Sequence, residues 1–458
     1  MPDLYILGGG PAGLALGLYA HRAGIPFTLF EKCEATGGLC RTLRLGEHRY
    51  DCGAHRLHDH DSEVTSDVRE LLKGQLHPVR TPSSIYDQGR FVVFPPTPAN
   101  FIVSAGPGQV AKIVAELLRN RLRRDPRRSF RDFAIRAFGE TLAQRYLLNY
   151  SEKVWGFPAD ELSPAVSTRR LKGMTFRTLF FELFAPSRKS ENIEGTFLYP
   201  DGGYGRIVEA MEAAVPAASI QKRCEVTALE VVNCRVRSIV FADGSKAPVE
   251  GDVVSTLPLT LLARFLAPAL GAEIEEAAKN LHFRSVRLFF LRLAQPRVTK
   301  NASLYFPDAR FSFTRLSEPK NRCESMAPPD ETGLNVEVPC FAGDALSETP
   351  AEALFETVVR DLESTGLLKR QAILEWRHHF LPEAYPVYTL DYQQRVDTIV
   401  RALECVQNLQ PLGRNGLFYY SHLHDQLRMA KDYVRRRQAA ARSPRENIGV
   451  RSLAQADS

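Results

Sequence analysis

Leu4-Tyr5-Ile6-Leu7-Gly8-Gly9-Gly10-Pro11-Ala12-Gly13-Leu14-Ala15-Leu16-Gly17-Leu18-Tyr19-Ala20 is the stretch whose reading decides the fold. A short apolar run meets a glycine turn and passes at once into a helix-compatible segment. A second apolar run, Pro26 to Phe30, ends in Glu31. The pattern predicts a strand, a Gly-x-Gly-x-x-Gly turn, a helix, a second strand and a terminal acid. Each part has a chemical reason. Gly8 permits the tight turn, Gly10 lets the backbone approach a pyrophosphate, and Gly13 lets helix and strand pack closely. The free N–H groups at the helix N-terminus hold phosphate, and Glu31 accepts hydrogen bonds from the ribose of an adenosine.

Working outward, 458 residues with 44% hydrophobic content suffice for two or three domains. A net charge of +6 is mild for this length and does not point to nucleic acid. The eight cysteines, at 33, 40, 52, 224, 234, 323, 340 and 405, form no C-x-x-C pair, so neither a metal site nor a disulfide framework is expected. The first strand opens a few residues after Met1, an arrangement expected of a chain without a signal peptide. No uncharged run of membrane-spanning length occurs. A cytoplasmic protein with no stable membrane insertion is the expectation. Oligomeric state is not readable.

Past Glu31 the chain reads Lys32-Cys33-Glu34-Ala35-Thr36-Gly37-Gly38-Leu39-Cys40-Arg41-Thr42, then Tyr50-Asp51-Cys52-Gly53-Ala54-His55-Arg56. Further on come Tyr150-Ser151-Glu152-Lys153-Val154-Trp155-Gly156, Tyr199-Pro200-Asp201-Gly202-Gly203-Tyr204-Gly205, Asp252-Val253-Val254-Ser255-Thr256-Leu257-Pro258 and Leu412-Gly413-Arg414-Asn415-Gly416. In this order the segments resemble FAD enzymes of the amine oxidase superfamily, in particular its protoporphyrinogen oxidase-like and UDP-galactopyranose mutase-like members. The resemblance spans about residues 3–440. It implies an α/β fold: a Rossmann-like FAD-binding domain with a mixed β-sheet and helical substrate domain, in a discontinuous two-domain flavoprotein. It also implies FAD as cofactor, with Gly8, Gly10, Pro11, Ala12, Gly13, Leu14, Glu31, Lys32, Gly38, Leu39, Arg41, Ala54, His55, Val226, Gly413, Arg414, Leu423 and His424 around it. A second turn, Gly106-Pro107-Gly108-Gln109-Val110-Ala111, fits a dinucleotide pattern. It lacks a following strand and acid and reads as a loop before a helix.

Residues 1–80, 195–262 and 405–441 are expected to form the FAD domain, 81–194 and 263–404 the substrate domain, and 442–458 a disordered tail. Alternation in 225–241 predicts a hairpin, and the apolar runs at 283–294 and 333–341 predict strands of a sheet over the flavin. Residues 108–190 read as mostly helical.

For chemistry, His55 and His58 are candidates beside the flavin. Arg414 is a third, in a loop that opens a helix at Leu423 and His424 whose N-terminus would stabilise a reduced, anionic ring. Tyr305, Arg315, Tyr385, Tyr388, Tyr419 and Tyr420 are the expected substrate contacts. Arg169, Arg170, Lys172, Arg177, Arg188 and Lys189 face only Glu182 in their segment. They are either a solvated helix or an entrance that draws an anionic small molecule. The resemblance implies an FAD-dependent oxidoreductase that removes a hydride from a small molecule, the flavin then being reoxidised by oxygen or another acceptor. The alternative is a non-redox isomerase, like UDP-galactopyranose mutase, acting on a nucleotide sugar through reduced FAD.

Overall fold

The computed structural model describes residues 2–94, 108–109, 111–120, 128–170 and 196–442. The chain divides into two compact units. One comprises Met1–Gly38, Val208–Leu281 and Gln394–Ser458; the other comprises Leu39–Ile207 and His282–Gln393.

The first unit is built on a five-stranded parallel sheet. From one edge to the other its strands are Leu409–Pro411, Asp252–Ser255, Leu4–Leu7, Phe27–Glu31 and Ile220–Lys222. Leu4–Leu7 lies at the centre, paired on both sides, and all four of its residues are buried. That explains an apolar run without alternation: neither face of a central parallel strand meets water. The helix Pro11–Arg22 follows, with Pro11 at its first position, where a missing N–H costs nothing. Gly17 brings this helix onto the sheet, since a Cβ there would lie 2.9 Å from the ring of Phe27. The closing helix, Leu423–Arg442, packs along it.

Between Ile220–Lys222 and Asp252–Ser255 runs an antiparallel meander of Val226–Val232, Arg235–Phe241 and Lys246–Pro248. Asn233 and Cys234, with φ of 51° and 55°, form the two-residue turn of its hairpin. The sheet order reverses between Leu4–Leu7 and Asp252–Ser255. In an open parallel sheet, the carboxyl ends at such a reversal are where ligands bind.

The second unit carries a seven-stranded mixed sheet ordered Ile373–Pro386, Phe283–Leu293, Thr332–Cys340, Arg315–Ser317, Ser303–Tyr305, Ser83–Asp87 and Arg90–Phe94. Its two faces differ in chemistry. On one, Phe289, Leu291, Leu304, Leu316, Val336 and Val338 pack against Leu354, Phe355, Val358 and Leu362 of the helix Ala351–Ser364. On the other, Val286, Leu288 and Phe290 pack against Tyr50, Cys52 and Leu381. Beside them, Asn335, Glu337, Arg315 and Ser317 line up in register across adjacent strands.

The expected strands at 283–294 and 333–341 correspond to Phe283–Leu293 and Thr332–Cys340. Domain boundaries differ from the expected ones. Residues 39–80 and 195–207 belong to the second unit because Leu76–Val79 pairs with Phe197–Pro200 and because Asp51 is bonded to Tyr199 and Tyr204. Residues 263–281 and 394–404 belong to the first, where the helix Leu259–Leu270 packs on Val226–Val232. Arg442 closes the last helix, and the remainder of the expected disordered tail lies outside the described residues, as does 171–189 of the basic segment.

Candidate functional site

In the first unit the glycine loop is fixed by contacts from three other segments. Gly8, at φ +98°, stands where a Cβ would come within 2.6 Å of the Thr256 hydroxyl; that hydroxyl donates to the carbonyls of Leu7 and Gly8 at 2.9 and 3.1 Å. Gly13 lies so close to Gly8 that a Cβ would meet the Gly8 carbonyl oxygen at 2.0 Å. Gly37 donates its N–H to the Gly9 carbonyl at 2.7 Å, and Gly38, at φ +51°, rests against Gly10. Gly413, at φ +82°, abuts Ala12: a Cβ there would lie 2.6 Å from that of Ala12.

Gly10, by contrast, has open space where a Cβ would be. It caps the helix Pro11–Arg22 without any side-chain hydrogen bond, and no acid lies in the first turn. An uncapped helix N-terminus with room in front of a glycine fits a pyrophosphate.

Glu31 ends its strand with both carboxylate oxygens engaged. Oε2 accepts the Gly9 N–H and Oε1 the Cys33 N–H, each at 2.8 Å. An ionised carboxylate has about four acceptor sites, so two remain for ribose hydroxyls. Val226 stands near the same strand end: Cys224, two residues before it, donates its N–H to the Glu31 carbonyl at 2.9 Å. Lys32 is exposed and Leu14 buried. Thr36, next to the Gly37–Gly38 pair, donates to Glu212, which also pairs with Lys222 at 2.5 Å.

The Gly413–Gly416 turn keeps Arg414 half-buried, its guanidinium 4.2 Å above the Tyr420 ring. Tyr419 donates its N–H to the Arg414 carbonyl at 2.8 Å. Leu423 and His424 open the closing helix and are buried. Its first turn also holds Asp425, whose carboxylate accepts the His422 N–H at 2.7 Å and lies 3.4 Å from His424 Nε2. The sequence reading assigned that helix end to an anionic ring and left this acid out.

The second unit holds the remaining candidates. His55 Nε2 is 2.7 Å from the carbonyl oxygen of Leu39, the chain neighbour of Gly38. The His55 ring stacks on Tyr204, with centroids 4.9 Å apart and 20° between planes. His58 stacks on His60 at 5.5 Å and meets the edge of Phe197 at 6.5 Å. Ala54 and Arg41 are half-buried on the same stretch.

Four residues before His55 stands Asp51, which the sequence reading passed over. Its carboxylate accepts from the Thr42 hydroxyl at 2.6 Å, the Tyr199 hydroxyl at 2.5 Å and the Tyr204 N–H at 3.0 Å. Burial raises its pKa, against which these hydrogen bonds and Arg322 act. The signal was present in sequence as a lone acid between Tyr50 and Cys52 in a buried strand.

On the polar face of the sheet, Arg315 makes a two-pronged ion pair with Glu337, at 3.0 and 2.6 Å. Burial pulls the Arg315 pKa down, but Glu337, Tyr305 and Tyr150 more than reverse this and hold it well above its usual range. Tyr305 is Arg315's cross-strand neighbour and meets Tyr150 edge-on at 5.8 Å. Sequence reasoning named Arg315 and Tyr305 as candidates and left out Glu337, an acid in a strand where every residue is buried. Trp155 stands against Tyr385 at 6.0 Å and Tyr388 at 6.5 Å. Tyr388 is buried and stacked 4.2 Å from Tyr392.

Lys153, one turn from Tyr150, was likewise missed. Its ammonium donates to the carbonyls of Phe306, Asp308 and Phe313 at 3.1, 2.9 and 2.6 Å. Burial lowers its pKa to about 7, opposed by Asp308 and Asp361. Among the described residues, no group of acids, histidines and cysteines could hold a metal ion, and no helix is long and apolar enough to cross a membrane.

Comparison with known proteins shows the family and the fold. The family model of flavin containing amine oxidoreductases matches residues 11–407, and the chain belongs to that family. Its cofactor is FAD. Solved structures with the same fold include a reduced UDP-galactopyranose mutase, at 19% identity and a TM-score of 0.81 over 96% of each chain. A protoporphyrinogen oxidase-like protein of Exiguobacterium sp. 255-15 aligns at 18% identity and a TM-score of 0.75, over 95% of this chain and 98% of that one. A triple mutant of putrescine oxidase aligns at 15% identity and 0.68, over 96% and 99%.

Proposed function

We propose that this member of the flavin amine oxidoreductase family is an oxidoreductase that removes a hydride from a small molecule in the cytoplasm. The observation that carries the reading is the cradle of Gly8 to Gly13, Glu31 and Gly413, complete within one compact unit. When bound, FAD supplies a two-electron acceptor. Gly10 and the N–H groups that follow it hold the pyrophosphate, Glu31 the ribose, and Val226 the adenine through its backbone. The Arg414 guanidinium offsets negative charge on the reduced ring.

His55 orients the ring-side loop. Its Nε2 is committed to Leu39 and its face to Tyr204, which suits it to positioning and to tuning the flavin rather than to carrying protons. Hydride removal by a flavin asks no more of it. Tyr305, Arg315 and Tyr150 form the surface that recognises substrate. Because Glu337 already neutralises Arg315, that surface takes a polar or aromatic group more readily than a multiply charged anion.

A second reading, a non-redox mutase acting on a nucleotide sugar, draws on the His55 and His58 spacing and on the half-buried placement of His58. Anaerobic mixing decides between them. Amines, tetrapyrroles, polyenes and sugar nucleotides are each added to the oxidised protein. Bleaching of the flavin by one of the first three, with recovery on adding an acceptor, is the expected result. Conversion of a sugar nucleotide only after prior chemical reduction, with no net flavin oxidation, would replace hydride removal by the mutase reading.

A further inference from the structure

The segment from Asp51 to His55 contains more than a histidine beside a loop. Asp51 is fully buried, and its two oxygens collect three donors from separate pieces of chain: Thr42, Tyr199 and the backbone of Tyr204. Its own carbonyl accepts from Asn335 Nδ2 at 3.2 Å, which ties it to the polar face of the sheet. The loop that carries Tyr204 has no latitude of its own. Gly202 and Gly203 sit at φ +79° and +115°, and side chains there would run into Arg49 and Thr42. Gly205 donates its N–H to the same Thr42 hydroxyl at 2.7 Å. Asp51 thus joins, as an acceptor, the strand before His55 to the loop whose aromatic ring lies flat on His55.

We propose that Asp51 is the positioning residue of the flavin side of this protein, setting the plane of His55 through Tyr204. The proposal rests on the reading that His55 meets the flavin. The chain of contacts is short: carboxylate to Tyr204 N–H, Tyr204 ring to His55 ring, His55 Nε2 to the Leu39 carbonyl. Without the carboxylate, the Tyr204 N–H and the Tyr199 and Thr42 hydroxyls lose a common acceptor, the first two of them in a buried site. Buried donors left unpaired relocate or carry a penalty, and a shift of the Tyr204 ring tilts the His55 ring stacked on it. Displacement of this kind at a reacting centre has large consequences relative to its size.

The test uses the full-length holoprotein and reads the flavin midpoint potential by dye equilibration, together with FAD content. His55→Ala fixes the scale, since it removes the ring altogether. Asp51→Ala is expected to retain FAD and to move the potential in the same direction, at least half as far. Asp51→Asn keeps an acceptor for Tyr204 and can donate to Tyr199, so it is expected to remain near wild type. If Asp51→Ala does not fold, Tyr204→Leu replaces it, with Tyr204→Phe as the variant that keeps the stacking ring; the first is expected to shift the potential and the second to leave it. Asp51→Ala or Tyr204→Leu holding FAD at the wild-type potential, while His55→Ala shifts it, overturns the positioning role. An unchanged potential in His55→Ala itself instead overturns the placement of His55 at the flavin, and the proposal falls with that premise.

Discussion

Glu31→Gln perturbs the nucleotide cradle at one atom and can be worked through from the structure. The wild-type carboxylate accepts Gly9 N–H on one oxygen and Cys33 N–H on the other, each at 2.8 Å. Glutamine retains one acceptor oxygen and turns an amide NH2 toward the other donor. A hydrogen bond to a charged acceptor contributes about 1.5–3 kcal/mol, so the FAD-free protein should lose about that much stability. Glu31→Ala, which removes both bonds, should lose about 3 kcal/mol at the lower bound; the half-buried site lets water reach the released N–H groups. FAD affinity should fall further. A ribose hydroxyl that donates to the carboxylate contributes another bond of the same kind, and 1.5–3 kcal/mol corresponds to roughly a tenfold to hundredfold rise in Kd. Cys33→Ala is the control, because the Cys33 N–H, not its thiol, meets Glu31. The assays are thermal unfolding of the apoprotein and FAD titration followed by fluorescence quenching. Loss of stability with an unchanged Kd would reduce Glu31 to a loop brace. Wild-type values of both would refute the reasoning entirely.

Arg414→Ala should keep most of its FAD, because the adenosine half is held elsewhere, while the flavin becomes harder to reduce; an unchanged potential and unchanged turnover would leave Arg414 a structural role. Glu337→Gln should lose stability in denaturant unfolding, by less than the about 3–5 kcal/mol of a fully buried pair, since it leaves the half-buried Arg315 guanidinium without its charged partner, and adding Arg315→Met should recover part of the loss; a single variant as stable as wild type would show that Arg315 finds another acceptor. Lys153 titrates near pH 7 when folded, against about 10.4 when unfolded. Between those values the unfolded chain binds the extra proton, so this residue makes stability rise with pH, by up to about 1.4 kcal/mol per unit. Lys153→Met should flatten that rise, and an identical pH profile of unfolding in the variant would contradict the assignment.

Much of the first unit was legible because its elements are local. Strand, turn and helix follow one another within residues 4–22, and apolar runs without alternation identify strands of a parallel sheet. The motif order also carried the Gly413 turn and the closing helix. Less legible was whatever depends on pairing between distant segments. Nothing in residues 39–80 announces that they fold with 196–207; the pairing of Leu76–Val79 with Phe197–Pro200 decides it. Glu337 carries no local sign of its partner, because Arg315 lies on another strand and only the register brings the two side by side. Tyr388 shows how much of an aromatic's surroundings only the fold reveals. An aromatic in Ala384-Tyr385-Pro386-Val387-Tyr388 reads as a surface that could meet a substrate, yet the fold stacks it between Trp155 and Tyr392.

The three glycines of the fingerprint illustrate why a motif is weaker than the geometry it stands for. One letter covers three different constraints. Gly8 is imposed by its backbone, at φ +98°, and by the Thr256 hydroxyl in front of it. Gly13 is imposed by packing alone, since a side chain would strike the Gly8 carbonyl. Both would be required in a turn that bound nothing. Gly10 differs: its φ of −69° suits any residue, and among the described residues nothing beyond its own chain neighbours lies within 4 Å of where a Cβ would stand. Neither conformation nor packing within the chain asks for glycine there. The remaining reason is a group from outside that approaches the backbone more closely than a side chain permits, at the N-terminus of a helix that no side chain caps. Of the three, Gly10 is therefore the residue that speaks for the cofactor, and the other two speak for the fold that presents it.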